Sequence, residues 1–281
     1  RKIEHLNRNK AILIDSELIC PQRDRNTFPM PALALFAVPQ YFKRKYGAEI
    51  MNRHYHTVIL GASFYGCGRA AIRPGALVLE SAILAGSDFV FGGDAGRIPI
   101  AAPSHPLARE FYEELRRRRA LTASGLQIAA LAPLISFWSL KHELEIVFSC
   151  DVLEYGNGAI EFMTVAGPAN VTVDTIIDAR PQYRDGKSLT ALLEVEKPLV
   201  PGQWGEFELT CGEPASRMSL RFDLESDCSW PEARRRFREA WRQRPPELSG
   251  ATLLWSGSRF LSAEFGNPLL ALEAGLNEVP R

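Results

Sequence analysis

The chain has 281 residues, and lysine plus arginine equals aspartate plus glutamate at 33 each, so its formal charge is zero. Hydrophobic residues make up 46% and charged residues 23%, the profile of a globular chain with a sizeable core, and the missing basic excess argues against a nucleic-acid partner. The longest apolar stretch, 125–138, contains Gln127 and Pro133 and is too short to span a bilayer, so no membrane partner is expected.

Met51 stands just before the first strong strand, and the 50 residues ahead of it, which begin at Arg1, are expected to be an extension of unassigned role. A strand is expected over 11–18, followed by a polar, turn-rich stretch over 20–31. No charged-then-apolar signal pattern opens the chain. The cysteines Cys20, Cys67, Cys150, Cys211 and Cys228 form no Cys-x-x-Cys pair. They read as small hydrophobes, and a reducing, cytoplasmic setting is expected.

In chain order, Thr57–Leu60 (TVIL) predicts a buried strand, and a glycine-rich turn leads into a short helix from Phe64 to Arg73. Pro74-Gly75 stops that helix. Ala76–Leu79 (ALVL) predicts a second buried strand with Glu80 at its end. Continuous apolar strands of this kind suit a parallel sheet covered on both faces. Residues 86–96 read as a loop. Helices are predicted over 106–121, where glutamates precede an arginine run at helical spacing, and over 125–140. Strands are then predicted over 145–149, 159–165, 170–173 and 174–179. The remainder predicts strands over 189–199, 204–209 and 218–224 and a strand or loop over 253–259, with helices over 231–241 and from Asn267-Pro268 through Ala274.

The segment Val58–Gly68 (VILGASFYGCG) has the order strand, G-x-S-x-x-G, helix. Gly61 permits the tight turn out of the strand, and Gly66 lets the helix pack close to it. The helix N-terminus offers amides and a positive dipole end to phosphates. Glu80 follows 19 positions after Gly61, where a carboxylate accepts hydrogen bonds from a ribose diol. Ser63 takes the place of the usual second glycine, so its Cβ is expected to crowd the phosphate while its hydroxyl offers a hydrogen bond. The helix is about one turn short, which leaves it facing the same way. These features together predict a dinucleotide-binding βαβ unit.

With these parts in this order, the chain resembles the FAD-dependent oxidoreductases whose flavin domain is a two-dinucleotide-binding fold. VILGASFYG and ALVLES are similar to the family's first βαβ unit. Ser124–Tyr155 is similar to its helix and the strand that passes the adenine, with Val152 at the position whose backbone meets the ring. Val173–Arg180 (VDTIIDAR) is similar to the strand leading to the family's Ala-Thr-Gly turn, although Arg180-Pro181 stands where Thr-Gly is expected. Gly266–Gly275 is similar to the segment that starts the last flavin-contacting helix. The resemblance implies an α/β fold: a Rossmann-like FAD-binding domain with a mostly parallel sheet and an inserted antiparallel β layer. It implies FAD as cofactor, held by Gly61, Ala62, Ser63, Phe64, Gly66, Glu80, Ser81, Val152, Asp178 and Ala179.

On this reading 51–180 is the FAD-binding region, 181–258 the inserted or substrate-facing region, and 259–281 the return to the FAD-binding domain. The implied activity is that of a flavin-dependent oxidoreductase of unassigned small-molecule substrate. Two other readings stay open: an FAD-binding protein without catalysis, in a structural or partner-binding role, and an NAD-binding dehydrogenase. No residue stands out as a catalytic acid or base. His54 and His56 alternate at a strand start but find no third ligand at suitable spacing, so no metal site is expected.

Overall fold

The computed structural model describes residues 53–93, 100–123, 125–180, 187–197, 199–211, 214–225, 227–260 and 265–277. The strand expected over 11–18 lies outside them. The first half of the chain runs β1 (His54–Leu60), α1 (Phe64–Ala71), β2 (Leu77–Glu80), α2 (Ser87–Val90), α3 (Pro106–Arg117), α4 (Ile128–Lys141) and β3 (Glu145–Phe148). There follow β4 (Asp151–Gly156), β5 (Ala159–Thr164), β6 (Gly167–Asp178), β7 (Lys187–Glu194), β8 (Gly202–Trp204), β9 (Phe207–Cys211), β10 (Arg217–Leu224), α5 (Trp230–Arg242), β11 (Thr252–Phe260) and α6 (Pro268–Asn277).

The strands form two sheets. The first has the order β3-β2-β1-β6-β5-β4, parallel from β3 to β6 and antiparallel from β6 to β4. Thr57, Val58, Ile59 and Leu60 are all buried, as expected for a strand flanked on both sides and covered on both faces. One face carries Ile59, Val78 and Ile146 and packs against Phe64, Phe111, Leu131, Ile135 and Trp138 of α1, α3 and α4. On the other face Val58, Leu60, Leu77 and Leu79 pack against Ile160, Phe162, Val171 and Val173 of the antiparallel strands.

β6 is a single strand of 12 residues where the pattern predicted two short ones. Its first half pairs with β5, and Thr172 to Asp178 then run parallel to His54–Leu60. Val171 and Val173 are buried while Thr172 and Asp174 are exposed, so the period of two continues and nothing interrupts the strand.

The second sheet is antiparallel, in the order β11-β7-β10-β9-β8. The stretch expected as one strand over 204–209 is a hairpin, because Gly205 at φ +63° supplies the turn between Trp204 and Phe207. Leu189, Ala191, Leu193, Leu209, Leu220 and Phe222 on one face bury Ala233, Phe237 and Ala240 of α5. The opposite face carries Ser188, Thr190, Ser219 and Arg221. The Ser219 hydroxyl donates to the Gly93 carbonyl at 2.8 Å, which fastens the segment after α2 to this sheet.

α6 returns the chain to the parallel sheet. Asn267 caps it by accepting from the Leu270 amide at 2.9 Å, and Pro268 opens it. α1 and α6 meet through Gly68 and Gly275. A Cβ on Gly68 would stand 2.4 Å from the Leu272 carbonyl oxygen, and one on Gly275 would stand 2.2 Å from that of Tyr65. Only glycine allows this approach. No helix among the described residues is long and apolar enough to cross a membrane.

Candidate functional site

The site lies at the C-terminal ends of β1, β2 and β6. The chain leaves β1 through α1 to reach β2, while β6 flanks β1 on the other side, so the crevice over β1 is a topological switch point. Gly61 turns the chain out of β1 at φ +97°, a conformation that L side chains rarely adopt. Its amide donates to the Leu79 carbonyl at 2.7 Å, and the Ala179 amide donates to the Leu60 carbonyl at 2.8 Å. The turn is thereby stitched to both neighbouring strands. A Cβ on Gly66 would stand 2.1 Å from the Gly61 carbonyl oxygen, so α1 is packed hard against the turn it follows.

Glu80 is 5% exposed. One carboxylate oxygen accepts from the Ala62 amide at 2.6 Å and the other from the Ala82 amide at 2.7 Å. Burial pushes its carboxyl above the ordinary range, against the opposing pull of these two amides and of the Ser81 hydroxyl. Each oxygen retains accepting capacity, since an ionised carboxylate offers about four lone-pair sites. The connection from β3 to β4 crosses the same strand end: the Cys150 amide donates to the Glu80 carbonyl at 3.1 Å and the Ser149 amide to that of Ala82 at 3.0 Å. Val152 follows two residues later, half-buried in the edge strand β4.

Ser63 is held by the chain's own backbone. It is the N-cap of α1; its hydroxyl accepts from the Gly66 amide at 3.0 Å and donates to the Ala179 carbonyl at 2.9 Å. Both of its bonds are internal, and the residue is buried. Phe64 places its ring in the core, edge-on to Phe89 at 5.7 Å between centroids, and only its backbone belongs to the turn.

Asp178 and Ala179 end β6 beside Gly61. The Asp178 carboxylate is engaged by Arg180, at 2.9 Å from Nε and 2.6 Å from the terminal nitrogen. Arg180 also lies over the Tyr155 ring at 5.6 Å, and its backbone would stand 3.1 Å from a Cβ on Gly61. The turn that departs from the Thr-Gly pattern thus leans directly on the first glycine. Pro181 lies outside the described residues.

The structure brings Gly61, Ala62, Ser63, the Phe64 backbone, Gly66, Glu80, Ser81, Asp178 and Ala179 together around the C-terminal ends of β1, β2 and β6, with Val152 on β4 beyond them. Sequence reasoning missed Asp88, whose carboxylate accepts from the Phe64 amide at 3.4 Å, and Arg180 as a wall of the turn. The signal for Asp88 was faint: an acidic residue just after Gly86 in a stretch that reads as loop. Cys67 and Cys150 are buried, and burial pushes both thiols up to about 12, so neither is a ready nucleophile. Among the described residues no group of three or more His, Cys, Asp or Glu is placed to hold a metal ion.

The chemistry of this set fits the adenosine half of a dinucleotide. A strand-turn-helix unit ends at a switch point, a buried carboxylate stands at the next strand end, and that carboxylate keeps lone pairs for hydroxyl donors. The fit at the phosphate end is conditional, because the amides of Ala62, Phe64 and Gly66 are engaged by Glu80, Asp88 and Ser63.

No family model matches the chain, and no curated protein matches it in sequence. Solved structures match it in fold. Glycine oxidase from Geobacillus kaustophilus aligns with a TM-score of 0.51 at 12% identity, over 80% of this chain and 93% of that one. L-proline dehydrogenase from P. horikoshii aligns with a TM-score of 0.51 at 10% identity, over 80% and 92%. A geranylgeranyl bacteriochlorophyll reductase-like protein from Thermoplasma acidophilum gives 0.51 at 10%, over 80% and 76%. At these identities the likeness is one of fold: α/β, Rossmann-like, with a mostly parallel sheet and a separate antiparallel one.

Proposed function

We propose that the protein is a flavin-dependent oxidoreductase that binds FAD, with the ADP half over the 61–66 turn and its ribose on Glu80. The observation that carries this reading is the buried Glu80 carboxylate bonded to the Ala62 amide at the switch point. A buried carboxylate that no cation among the described residues pairs is costly. Its place at the end of the second strand is that of a ribose-binding acid. The shared fold supports the reading, since the three similar structures are an oxidase, a dehydrogenase and a reductase-like protein by name.

A bound flavin supplies the electron transfer, and the protein's part is to place and tune it. Glu80 would accept from the ribose hydroxyls while Ala62 keeps its carboxylate aimed. The Gly61 turn would let the backbone approach the pyrophosphate. Ser63, by joining α1 to the end of β6, holds the two walls of the crevice at fixed separation. The segment after α2, fastened to the antiparallel sheet by Ser219, runs from the phosphate end toward that sheet, where we place the ring and the substrate. On this reading 51–180 is the FAD-binding region, 181–258 the inserted or substrate-facing region and 259–281 the return to the FAD-binding domain.

Denaturing the purified protein and identifying the released small molecule by mass spectrometry tests the reading. FAD at near one equivalent is expected. Release of NAD, or failure to bind FAD when it is added in excess, would overturn it.

A further inference from the structure

The amide of Phe64 is the first helical amide of α1, the group that a bound phosphate would use. Here the chain supplies its own anion: the half-buried Asp88 carboxylate accepts from it at 3.4 Å. The contact is held by its surroundings. The Gly86 amide donates to the Ala62 carbonyl at 2.7 Å, clamping the start of α2 onto the turn. Gly86 sits at φ +69°, and a Cβ there would stand 2.6 Å from the Phe64 ring, so the backbone presses directly on that ring. Phe89 then meets Phe64 edge-on from the next turn. Asp88 lies between these two anchors, in the first turn of α2.

Resting on the FAD-binding reading, we propose that Asp88 competes with the cofactor's pyrophosphate for the N-terminus of α1, and that the 86–90 turn must release it when the cofactor binds. Two anions cannot share one amide, and a carboxylate a few ångströms from a doubly charged pyrophosphate repels it. The affinity is therefore reduced by the fraction of molecules in which Asp88 is seated. The Gly86 and Phe89 anchors do not use the carboxylate, so it can leave the Phe64 amide while they stay in place. Phosphate-free ligands of the same crevice do not meet this competitor.

The test compares wild type, Asp88→Asn and Asp88→Ser, titrated with FAD, ADP and adenosine and read by ligand or protein fluorescence. Asp88→Asn should bind FAD and ADP about fivefold tighter or more, a usual size for coupling between two groups at one site. Adenosine affinity should stay unchanged, and Asp88→Ser should follow Asp88→Asn. If the variants bind ADP and adenosine with the wild-type ratio, or bind FAD more weakly while folded, Asp88 is a structural cap and the proposal fails while the cofactor reading stands. If wild type and both variants bind none of the three, the cofactor reading fails and takes this proposal with it.

Discussion

The amide of Ala62 donates to the carboxylate of Glu80 at 2.6 Å, so the turn after β1 and the end of β2 are one hydrogen-bonded unit. The same carboxylate bonds the Ala82 amide, and it does so while almost wholly buried. Among the described residues this acid is held by two backbone amides and the Ser81 hydroxyl, with no cation paired to it, so burial governs its protonation.

That burial gives a pH signature. Burial, the largest influence on Glu80, raises its folded-state pKa above the unfolded value of about 4.3. The native state therefore holds the proton more tightly than the unfolded chain does. This contribution to stability is complete below about pH 4.3 and declines as pH rises through the folded-state value. Glu80→Gln has no such group. Denaturant midpoints of the ligand-free protein should fall with rising pH more steeply in wild type than in Glu80→Gln; parallel pH profiles would show that the carboxyl is not perturbed.

Ser63→Ala removes two internal bonds at once, leaving the Gly66 amide uncapped and the Ala179 carbonyl without its donor. Loss of an N-cap side chain costs about 0.5–2 kcal/mol, and the second buried group places this variant toward the upper end. Thermal unfolding measures it. A loss of no more than a few tenths would mean that the hydroxyl is not seated as described.

Gly68→Ala and Gly275→Ala each force a methyl against a backbone carbonyl, at 2.4 Å and 2.2 Å. Overpacking of this kind costs about 1–3 kcal/mol, and here the rigid partner favours the larger value. Both act by moving α1 away from α6, so the double variant should lose less than the two losses added together. Strict additivity would indicate that the two glycines do not share one contact.

The βαβ unit was legible because its signals are local. An apolar run, Gly61, Gly66 and Glu80 fall within about 25 residues, and each acts through its own backbone or its nearest neighbours. The course of β6 was partly legible: its two halves were expected separately, and the alternation of Val171, Thr172, Val173 and Asp174 carries the strand straight through. The work of Ser63 was hidden because the Ala179 carbonyl is 116 positions away in sequence. Asp88 was hidden for a related reason. Its four-residue helix has too few residues to show a period, and it owes its place to Phe89 packing on Phe64. The Ser219 bond to Gly93 spans 126 positions and ties the segment after α2 to the antiparallel sheet, information that no local pattern contains.

Titration of ligand-free protein with FAD, for wild type and Glu80→Ala, tests the central claim most directly. Glu80 is the better choice than Gly61, because a Cβ at Gly61 would also strain the backbone of Arg180 at 3.1 Å and confuse binding with folding. Circular dichroism first establishes that the variant is folded. A hydrogen bond to a charged group contributes about 1.5–3 kcal/mol, so the account predicts roughly a tenfold to hundredfold weaker FAD affinity for Glu80→Ala. Equal affinities in the two folded proteins would contradict it.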